Sequence, residues 1–320
     1  MATQEPVAVI LAAGKGSRIY PLSASKPKPV LPVGNRPLLA HQLALVRSCG
    51  ITRVFIVIGH LGYEVVSALG DGSDYGVHIT YVEQPDTIGI AHALGTLEPH
   101  IDAPFLLLLG DIYFVTDQLR PVVDEVVRGD VNANLISKVE PDPEMVKRNF
   151  AIIEGENGLV RRVIEKPRYA RSQLKGCGIY MFDLHIFDAI RRTPRTAMRD
   201  EYEITDSIQI LIDDGFAVGH KPVVQEDFNL TVPEDLLAIN LLDLDRAGLP
   251  ARIGDNVRLA DGCDVRHSVI GNNVTVARPT TIVDSLIFPG VHVETTERLE
   301  RVIVVDQKTV IPCARRGLTR

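Results

Sequence analysis

The sequence predicts an α/β fold, a Rossmann-like, doubly wound mixed sheet, followed by a parallel β-helix. Two observations predict this architecture. Over residues 6–245, short β-rich runs alternate with helical patterns, which is typical of a mostly parallel sheet with helices packed on its faces. From residue 253 onwards, single aliphatic residues recur at a fixed spacing, which is typical of short stacked strands.

The strands of the sheet are predicted from apolar runs, which suit central strands covered on both faces. These runs are residues 7–13, 54–59, 77–83 and 105–110. Helices are predicted over residues 37–50, with Gly50 as the stop signal, and over residues 88–97. Ligands of such sheets bind beyond the carboxyl ends of the strands, so the polar residues that follow each strand are candidate site residues.

The aliphatic repeat is spaced by six, six and five residues, so each position recurs 17 residues later. Its members are Ile253, Leu259, Val265, Ile270, Val276, Ile282, Ile287, Val293, Leu299, Val304 and Val310. Hexapeptide-like repeats of a parallel β-helix have this pattern, whereas an antiparallel β-domain, the alternative, rarely keeps so strict a period. A helical pattern ends near Gly248, and we therefore predict domains at 1–247 and 248–320.

Composition excludes several classes of function. A net charge of −7 argues against broad binding to nucleic acid or to an anionic membrane surface. The four cysteines form no CxxC pair, which argues against a zinc or disulfide framework and favours a reduced, cytoplasmic protein. No apolar run is long enough to span a bilayer.

The segment after the first predicted strand, LAAGKGSRIYPLSASKPKPVLP over residues 11–32, is unusually basic and proline-rich. It is neither a Walker P-loop nor a dinucleotide fingerprint, since Ile19 stands where the third glycine of that fingerprint belongs. Its small residues let backbone N–H groups approach phosphate oxygens, and Arg18 can bind two oxygens at once. Prolines stiffen the part that carries Lys28, which lowers the cost of ordering it. The segment therefore predicts an anion site, with a solvated basic loop as the alternative.

This segment resembles the signature of the sugar-1-phosphate nucleotidyltransferases, and five further segments match that family in the same order. They are EQPDTIGIAHAL (83–94), LLLLGDIYF (106–114), VIEKP (163–167), EYEITDSIQILIDDG (201–215) and NLTVPEDLLAIN (229–240). The resemblance implies the nucleotide-diphospho-sugar transferase fold and, in the tail, the left-handed β-helix found in several branches of the family. It also implies a homo-oligomer, a dimer or a tetramer.

The resemblance implies transfer of a nucleotidyl group from a nucleoside triphosphate to a sugar 1-phosphate, with release of pyrophosphate and with Mg²⁺ as the cofactor. Arg18 would clamp the leaving phosphates, Lys28 would stabilise charge at the α-phosphorus, and Lys166 would bind the sugar phosphate. Asp111 completes this catalytic set and shares the metal with Asn229. The implied nucleotide-binding residues are Leu11, Ala12, Ala13, Gly14, Lys15, Gly16, Ser17, Arg18, Lys28, Gln84, Gly89 and Asp111.

The residues implied at the sugar are Ala151, Glu165, Lys166, Gly176 and Tyr180. Asn229 departs from the family pattern, because thymidylyltransferases usually carry an aspartate at this position. Ala151 replaces a frequent glycine, and Gly176 stands where mannose-type enzymes commonly have asparagine.

These departures leave the implied reaction class unchanged but do not specify the sugar. The amide of Gln84 suits the imide edge of uracil or thymine. We expect a pyrimidine triphosphate, dTTP or UTP, and a glucose-type sugar. The alternatives are a guanylyltransferase acting on mannose 1-phosphate or a related sugar or cyclitol phosphate, and a catalytically silent regulator that binds NDP-sugar. Acyl transfer by the β-helix is disfavoured, because no histidine of the tail lies in a recognisable acyltransferase motif.

Overall fold

The computed structural model describes residues 5–24, 26–84, 86–197 and 200–314. The described residues form two compact units. The first consists of residues up to 15 together with residues 40–227, and the second of residues 16–39 together with the chain from residue 228. The domains expected at 1–247 and 248–320 stay a prediction beside these units. None of the helices in the described ranges combines the length and the apolar character that a bilayer crossing requires.

Within the described residues, thirteen strands and eight α-helices precede the repeats. The strands are β1 (Val7–Leu11), β2 (Pro32–Val33), β3 (Arg36–Pro37), β4 (Arg53–Ile58), β5 (His78–Glu83), β6 (Phe105–Leu109), β7 (Ile112–Val115), β8 (Ala133–Val139), β9 (Phe150–Glu154), β10 (Val160–Glu165), β11 (Leu174–Phe182), β12 (Val218–Lys221) and β13 (Glu226–Asn229). The helices are α1 (Leu38–Ser48), α2 (Gly62–Leu69), α3 (Ile90–Gly95), α4 (Leu119–Arg128), α5 (Pro143–Arg148), α6 (Ile186–Arg192), α7 (Ile204–Asp213) and α8 (Pro233–Arg246).

A nine-stranded mixed sheet forms the centre of the first unit. Its main path runs β10-β9-β11-β6-β1-β4-β5, and β8 pairs with both β11 and β12. The pairs β1–β4, β1–β6 and β4–β5 are parallel, whereas β11 is antiparallel to β6, β8 and β9. The predicted α/β fold with a mixed, Rossmann-like sheet is confirmed.

Burial follows the predicted strand pattern except at the sheet edge. Residues 7–10 of β1 and 105–108 of β6 are fully buried, as expected of strands covered on both faces. Strand β5 differs, because it is an edge strand whose residues are half-buried or exposed. The predicted helix over residues 37–50 is α1, and Gly50 adopts a left-handed φ of 76° just beyond it.

In the described part of the tail, up to residue 314, the repeats form eleven short strands. They are β14 (Arg252–Ile253), β15 (Arg258–Leu259), β16 (Asp264–Arg266), β17 (Val269–Ile270), β18 (Thr275–Val276), β19 (Thr281–Val283), β20 (Leu286–Ile287), β21 (His292–Val293), β22 (Leu299–Glu300), β23 (Val302–Val304) and β24 (Val310–Pro312). Parallel pairing links strands 17 residues apart, as in Ile253 with Ile270 and Leu259 with Val276. The predicted parallel β-helix is confirmed, and the antiparallel alternative is wrong for these coils.

The ends of the β-helix differ from its middle. The repeat positions from Ile270 to Val304 are buried, but Ile253 and Leu259 of the first coil are 45% and 39% exposed. At the other end β24 folds back antiparallel to β23, which leaves Val310 47% exposed instead of continuing the stack. The sequence pattern alone does not distinguish these terminal positions from the interior ones.

Candidate active site

The carboxyl ends of β1, β4 and β6 lie at one edge of the sheet, because these strands are parallel. Backbone hydrogen bonds continue beyond the strands: the Ala12 N–H donates to the Val57 carbonyl (2.8 Å), and the Gly110 N–H donates to the Leu11 carbonyl (2.9 Å). A Cβ atom on Gly110 would lie 2.8 Å from the Leu11 carbonyl oxygen, so only glycine allows this close approach. Asp111 follows directly, and the structure thus brings it to the same edge as Ala12.

The start of the basic loop is packed against the fold at Ala13 and exposed at the next two residues. Ala13 is buried, and Gly59 packs so closely that its Cβ would lie 2.9 Å from the Ala13 carbonyl oxygen. Gly14 and Lys15 are exposed, and a Cβ on Gly14 would meet no atom within 4 Å. Backbone N–H groups of this loop are therefore accessible to an anionic ligand.

The rest of the basic segment belongs to the second unit. Gly16 has a left-handed φ of 63° and precedes a short 3-10 turn, Ser17–Ile19, which leaves Arg18 exposed. Lys28 is only 7% exposed, and it begins a second 3-10 turn, Lys28–Val30. A Cβ on Gly16 would lie 3.1 Å from Lys28 Cγ, so the alkyl chain of Lys28 packs against this glycine. This packing orders the Lys28 side chain in the folded protein. The entropy cost of ordering it is therefore not added to the free energy of ligand binding.

The predicted metal ligands offer oxygen donors. Asp111 is half-buried in the first unit, and Asn229 is the exposed last residue of β13 in the second. Within the described residues, no group of three or more His, Cys, Asp or Glu side chains could hold a metal. Each residue taken by itself offers an oxygen of the kind that Mg²⁺ binds, and Mg²⁺ commonly takes further ligands from substrate phosphates and water.

Four of the predicted sugar-site residues lie together on β9, β10 and their neighbour β11. Ala151 pairs with Ile164 on one side and with Lys175 on the other, which places it next to Gly176. A Cβ on Gly176 would lie 1.8 Å from Phe150 Cζ, so the Phe150 ring occupies the space that a side chain at 176 would need. The packing therefore leaves no room for a side chain at position 176 unless the Phe150 ring moves.

Glu165 and Lys166 end β10 beside this packing. The register pairs Glu165 with Phe150, and the Lys166 N–H donates to the Asn149 carbonyl (2.8 Å). Lys166 adopts φ 40°, a strained value for lysine, and its Nζ lies 3.7 Å from Glu165 Oε1. Thr205 Oγ1 approaches Glu165 Oε2 at 3.5 Å from α7. A carboxylate and an ammonium group are thus fixed side by side, with Lys166 half exposed.

Tyr180, the fifth predicted sugar residue, lies in the core. Its ring stacks between Phe150 and Phe182, with centroid separations of 6.0 and 5.7 Å. Burial raises the pKa of its hydroxyl, and the negative charge of Glu165 raises it further. Tyr180 thus supports the wall that Phe150 forms, and its predicted contact with the sugar stays a prediction.

Gln84 and Gly89, the predicted base-reading residues, lie around the start of α3. The Gln84 N–H donates to the Ile58 carbonyl (2.8 Å), which holds Gln84 at the carboxyl end of β4 and β5. Gly89 has φ 116°, and a Cβ there would lie 2.4 Å from the Tyr202 carbonyl oxygen. The Tyr202 N–H donates to the Ile88 carbonyl (2.8 Å), so the segment before α7 is hydrogen-bonded to the loop that is predicted to read the base.

A buried ion pair adjoins the sugar side and escaped the sequence analysis. Lys175 Nζ contacts both carboxylate oxygens of Asp227 at 2.7 and 2.8 Å, and both side chains are 1% exposed. Glu140 Oε2 lies 4.0 Å from the same ammonium group. In the sequence, only the position of Lys175 inside an otherwise apolar strand could have indicated a buried ion pair. Its partner could not be identified from local sequence, because Asp227 is 52 residues away.

Comparisons with known proteins identify the family. Residues 7–222 match the Nucleotidyl transferase family, and residues 253–316 match the GlmU-like C-terminal hexapeptide family. A glucose-1-phosphate thymidylyltransferase from Streptomyces griseus is 31% identical, over 97% of this chain and 87% of its own length. The low-salt glycan biosynthesis nucleotidyltransferase Agl11 from Haloferax volcanii is 35% identical, over 76% and 68%.

A solved structure of a putative glucose-1-phosphate thymidylyltransferase from Bacillus anthracis superposes with a TM-score of 0.66 at 31% identity, covering 75% of this chain and 95% of that chain. The hexapeptide match supports left-handed winding of the β-helix. The nucleotidyltransferase family generally uses a divalent metal, in agreement with the oxygen donors found here. The sequence-based recognition is confirmed, and the chain belongs to the nucleotidyl transferase family, as a sugar-1-phosphate nucleotidyltransferase with a hexapeptide β-helix tail.

Proposed function

We propose that the protein transfers a nucleotidyl group from dTTP or UTP to a glucose-type sugar 1-phosphate, giving an NDP-sugar and pyrophosphate. The observation that carries this proposal is the fixed pair of Glu165 and Lys166 beside the Phe150–Gly176 wall. A carboxylate accepts hydrogen bonds from sugar hydroxyls while a neighbouring ammonium group binds the phosphate, which is the combination that a sugar 1-phosphate requires.

In this reaction an oxygen of the sugar phosphate attacks the α-phosphorus, and the bond to the β-phosphate oxygen breaks. The attacking monoester is largely a dianion at neutral pH, since its second pKa is about 6, so no general base is needed. The obstacle is the approach of two polyanions, which positioned cations overcome.

Each cation has a proposed role. Exposed Arg18 binds the leaving β- and γ-phosphates with its planar fork, and Lys28 stabilises the charge that builds at the α-phosphorus. Lys166 holds the attacking phosphate. Asp111 and, from the family resemblance, Asn229 would supply oxygen ligands to Mg²⁺, which would neutralise phosphate charge.

The base preference rests on Gln84 together with the names of the relatives. Two of the similar enzymes with named substrates are a thymidylyltransferase and, at 34% identity over 71% of this chain and 92% of its own length, UTP–glucose-1-phosphate uridylyltransferase AglF from Haloferax volcanii. Both names specify glucose 1-phosphate, and a small residue at position 176 accords with that sugar.

The test is pyrophosphate release from a grid of substrates. The protein with Mg²⁺ is incubated with ATP, CTP, GTP, UTP or dTTP and with glucose, galactose, mannose or N-acetylglucosamine 1-phosphate. We expect the highest kcat/KM for glucose 1-phosphate with dTTP or UTP, and loss of turnover in Asp111→Ala. GTP with mannose 1-phosphate as the best pair would favour the guanylyltransferase alternative, and no release from any pair would favour a silent regulator.

The tail supports a proposed homo-oligomer, a dimer or a tetramer. Hexapeptide β-helices commonly associate, and the exposed aliphatic side chains of Ile253 and Leu259 leave the first coil open to a partner. We place the domains at 1–247 and 248–320, and the protein in the cytoplasm, where nucleoside triphosphates are made. Light scattering on the purified protein measures the number of subunits directly.

A further inference from the structure

The side-chain amide of Gln84 has a defined orientation. One of its terminal atoms lies 2.7 Å from the backbone carbonyl oxygen of Asp86, and Gln84 is only 3% exposed. A carbonyl oxygen only accepts hydrogen bonds, so the amide atom facing it is the NH₂ group, because an oxygen there would be repelled. The amide oxygen Oε1 therefore points away from Asp86, and no described residue donates a hydrogen bond to it.

His92 fixes the second proton of the same NH₂ group. Its Nδ1 lies 3.2 Å from Gln84 Nε2, and since that nitrogen donates, Nδ1 accepts and the imidazole carries its proton on Nε2. The ring stacks on Tyr202, with centroids 6.1 Å apart and planes at 28°, which holds it in place. Tyr202 in turn is tied to Ile88 through its backbone N–H. Both protons of the Gln84 amide are consequently used within the protein.

We propose that His92 is a positioning residue that makes Gln84 a hydrogen-bond acceptor toward the nucleobase. The inference rests on the proposed function, in which Gln84 faces the base. An acceptor at this position selects bases with a ring N–H on the Watson–Crick edge, which are uracil, thymine and guanine. Cytosine and adenine present a ring nitrogen lone pair there and are repelled. His92 thus acts on base selectivity through Gln84, without touching the substrate.

The test compares two variants of His92 with the wild type. His92→Phe keeps a ring for stacking on Tyr202 but removes the acceptor, whereas His92→Asn restores an acceptor, since Asn Oδ1 reaches about the position of Nδ1. The measured quantity is the ratio of kcat/KM for UTP to kcat/KM for CTP, at saturating glucose 1-phosphate. These two nucleotides share size and ribose and differ only in the edge that Gln84 would read.

We expect the wild type to prefer UTP over CTP by on the order of 100-fold or more. In His92→Phe the ratio falls by about tenfold or more, because only the Asp86 carbonyl then holds the amide, and turning it to donate to cytosine N3 breaks one hydrogen bond instead of two. In His92→Asn the ratio stays within about threefold of the wild type, because the acceptor is retained. The ratio of kcat/KM for GTP to that for ATP is measured in parallel. It shows whether the enzyme also accepts guanine, whose ring N–H could donate to Gln84 in place of the imide N–H of uracil or thymine.

Two results would overturn the proposal: a wild type that prefers CTP or ATP, or an unchanged UTP-to-CTP ratio in His92→Phe. A variant in which turnover of both nucleotides drops equally shows a merely structural role for His92 and also overturns it. If the wild type turns over no nucleotide, the proposed function fails, and the selectivity is then measured as the ratio of Kd values for UTP and CTP by calorimetry. Equal Kd values would reject the role of His92 separately.

Discussion

At the scale of single residues, Gly176 and the Phe150 ring define the predicted sugar side by close packing. A side chain at 176 must displace an aromatic ring that is itself stacked on Tyr180 in the core. Interiors are close-packed, so a ring in such a stack does not move without cost to its neighbours. The identity of residue 176 is therefore coupled to Phe150, and the two cannot be interpreted separately.

We predict that Gly176→Ala lowers the unfolding free energy by about 1–3 kcal/mol, the usual cost of overpacking. The KM for the sugar 1-phosphate should rise, because the displaced Phe150 ring enters the space beside Glu165. Thermal unfolding and steady-state kinetics measure the two effects. Gly155→Ala, in the β9–β10 hairpin that carries Phe150, is the matched control, since its Cβ would make only ordinary contacts of 3.4 Å or more. Equal behaviour of the two variants would contradict the packing argument, and Phe150→Leu should partly rescue Gly176→Ala.

The Lys175–Asp227 pair is the second residue-scale feature of this wall. Burying two charges costs several kcal/mol per ion, and close bidentate contact only offsets this cost. The pair is therefore not explained by stability alone. It links β11, at the residue before Gly176, to β13, the strand that ends with Asn229. Such a link fixes the position of β13 relative to β11. An apolar pair of equal volume would fix that position less strictly.

At the scale of elements, the sequence predicted those strands and coils that are encoded by a local pattern of apolar residues. Continuous apolar runs predicted β1, β4 and β6, and the 17-residue period predicted the β-helix coils. Edge strand β5 was expected to be covered, because its apolar residues resemble those of a central strand and only sheet order shows which strand is last. The fold-back of β24 was missed for the same reason, since Val310 still fits the repeat.

In the candidate site, too, residues of contiguous motifs were predicted from the sequence, and residues paired only in three dimensions were not. Arg18, Lys28 and Gln84 belong to contiguous motifs and were found from the sequence. Lys175 with Asp227, and His92 with Gln84, are pairs whose meaning depends on geometry. His92 in particular occupies an unremarkable helical position, and only its distance to an amide that already faces a carbonyl gives it a role.

The α8–β-helix junction carries a pH-sensitive contact. His267 Nδ1 lies 2.6 Å from Asp284 Oδ1, and its Nε2 lies 2.9 Å from Asp245 Oδ1 at the end of α8. Only a protonated imidazole donates from both nitrogens. Burial acts to lower the pKa of His267, but the two carboxylates outweigh it and the pKa is raised. Arg301 also faces Asp284, at 4.0 Å.

We predict that His267→Gln destabilises the protein more at pH 6 than at pH 9. The folded-state pKa lies above the unfolded value of about 6.5, so the stabilisation is complete below that pH and is lost as pH rises through the raised pKa. The expected loss at pH 6 is on the order of 1 kcal/mol, allowing for the partial exposure of the histidine. Chemical denaturation at both pH values measures it. An identical loss at pH 6 and pH 9 would show that the imidazole is not charged in this contact.

At the scale of the whole molecule, residues 16–39, which include most of the basic segment, belong to the same compact unit as the repeats. The hairpin β2–β3 follows the turn that begins with Lys28. The Gly34 N–H donates to Asn240 Oδ1 of α8 (2.9 Å), and Asn35 Nδ2 donates to the Ile270 carbonyl of the β-helix (2.8 Å). A Cβ on Gly34 would lie 2.3 Å from an Asp243 carboxylate oxygen, so the hairpin packs too closely against α8 to accommodate a side chain at residue 34. The tail therefore supports the segment that carries two of the proposed catalytic cations.

This arrangement makes Asn35 a test of the coupling between tail and chemistry. Asn35 has φ 65°, which glycine adopts freely, so Asn35→Gly removes the bond to Ile270 without backbone strain. We predict a loss of about 1 kcal/mol in unfolding free energy and a fall in kcat of up to about tenfold, because Lys28 loses its fixed position. Asn35→Ala should lose about 1 kcal/mol more through left-handed strain. Denaturation and steady-state assays of both variants measure these effects. If stability falls and kcat does not, the β-helix holds the fold together but has no part in presenting Lys28.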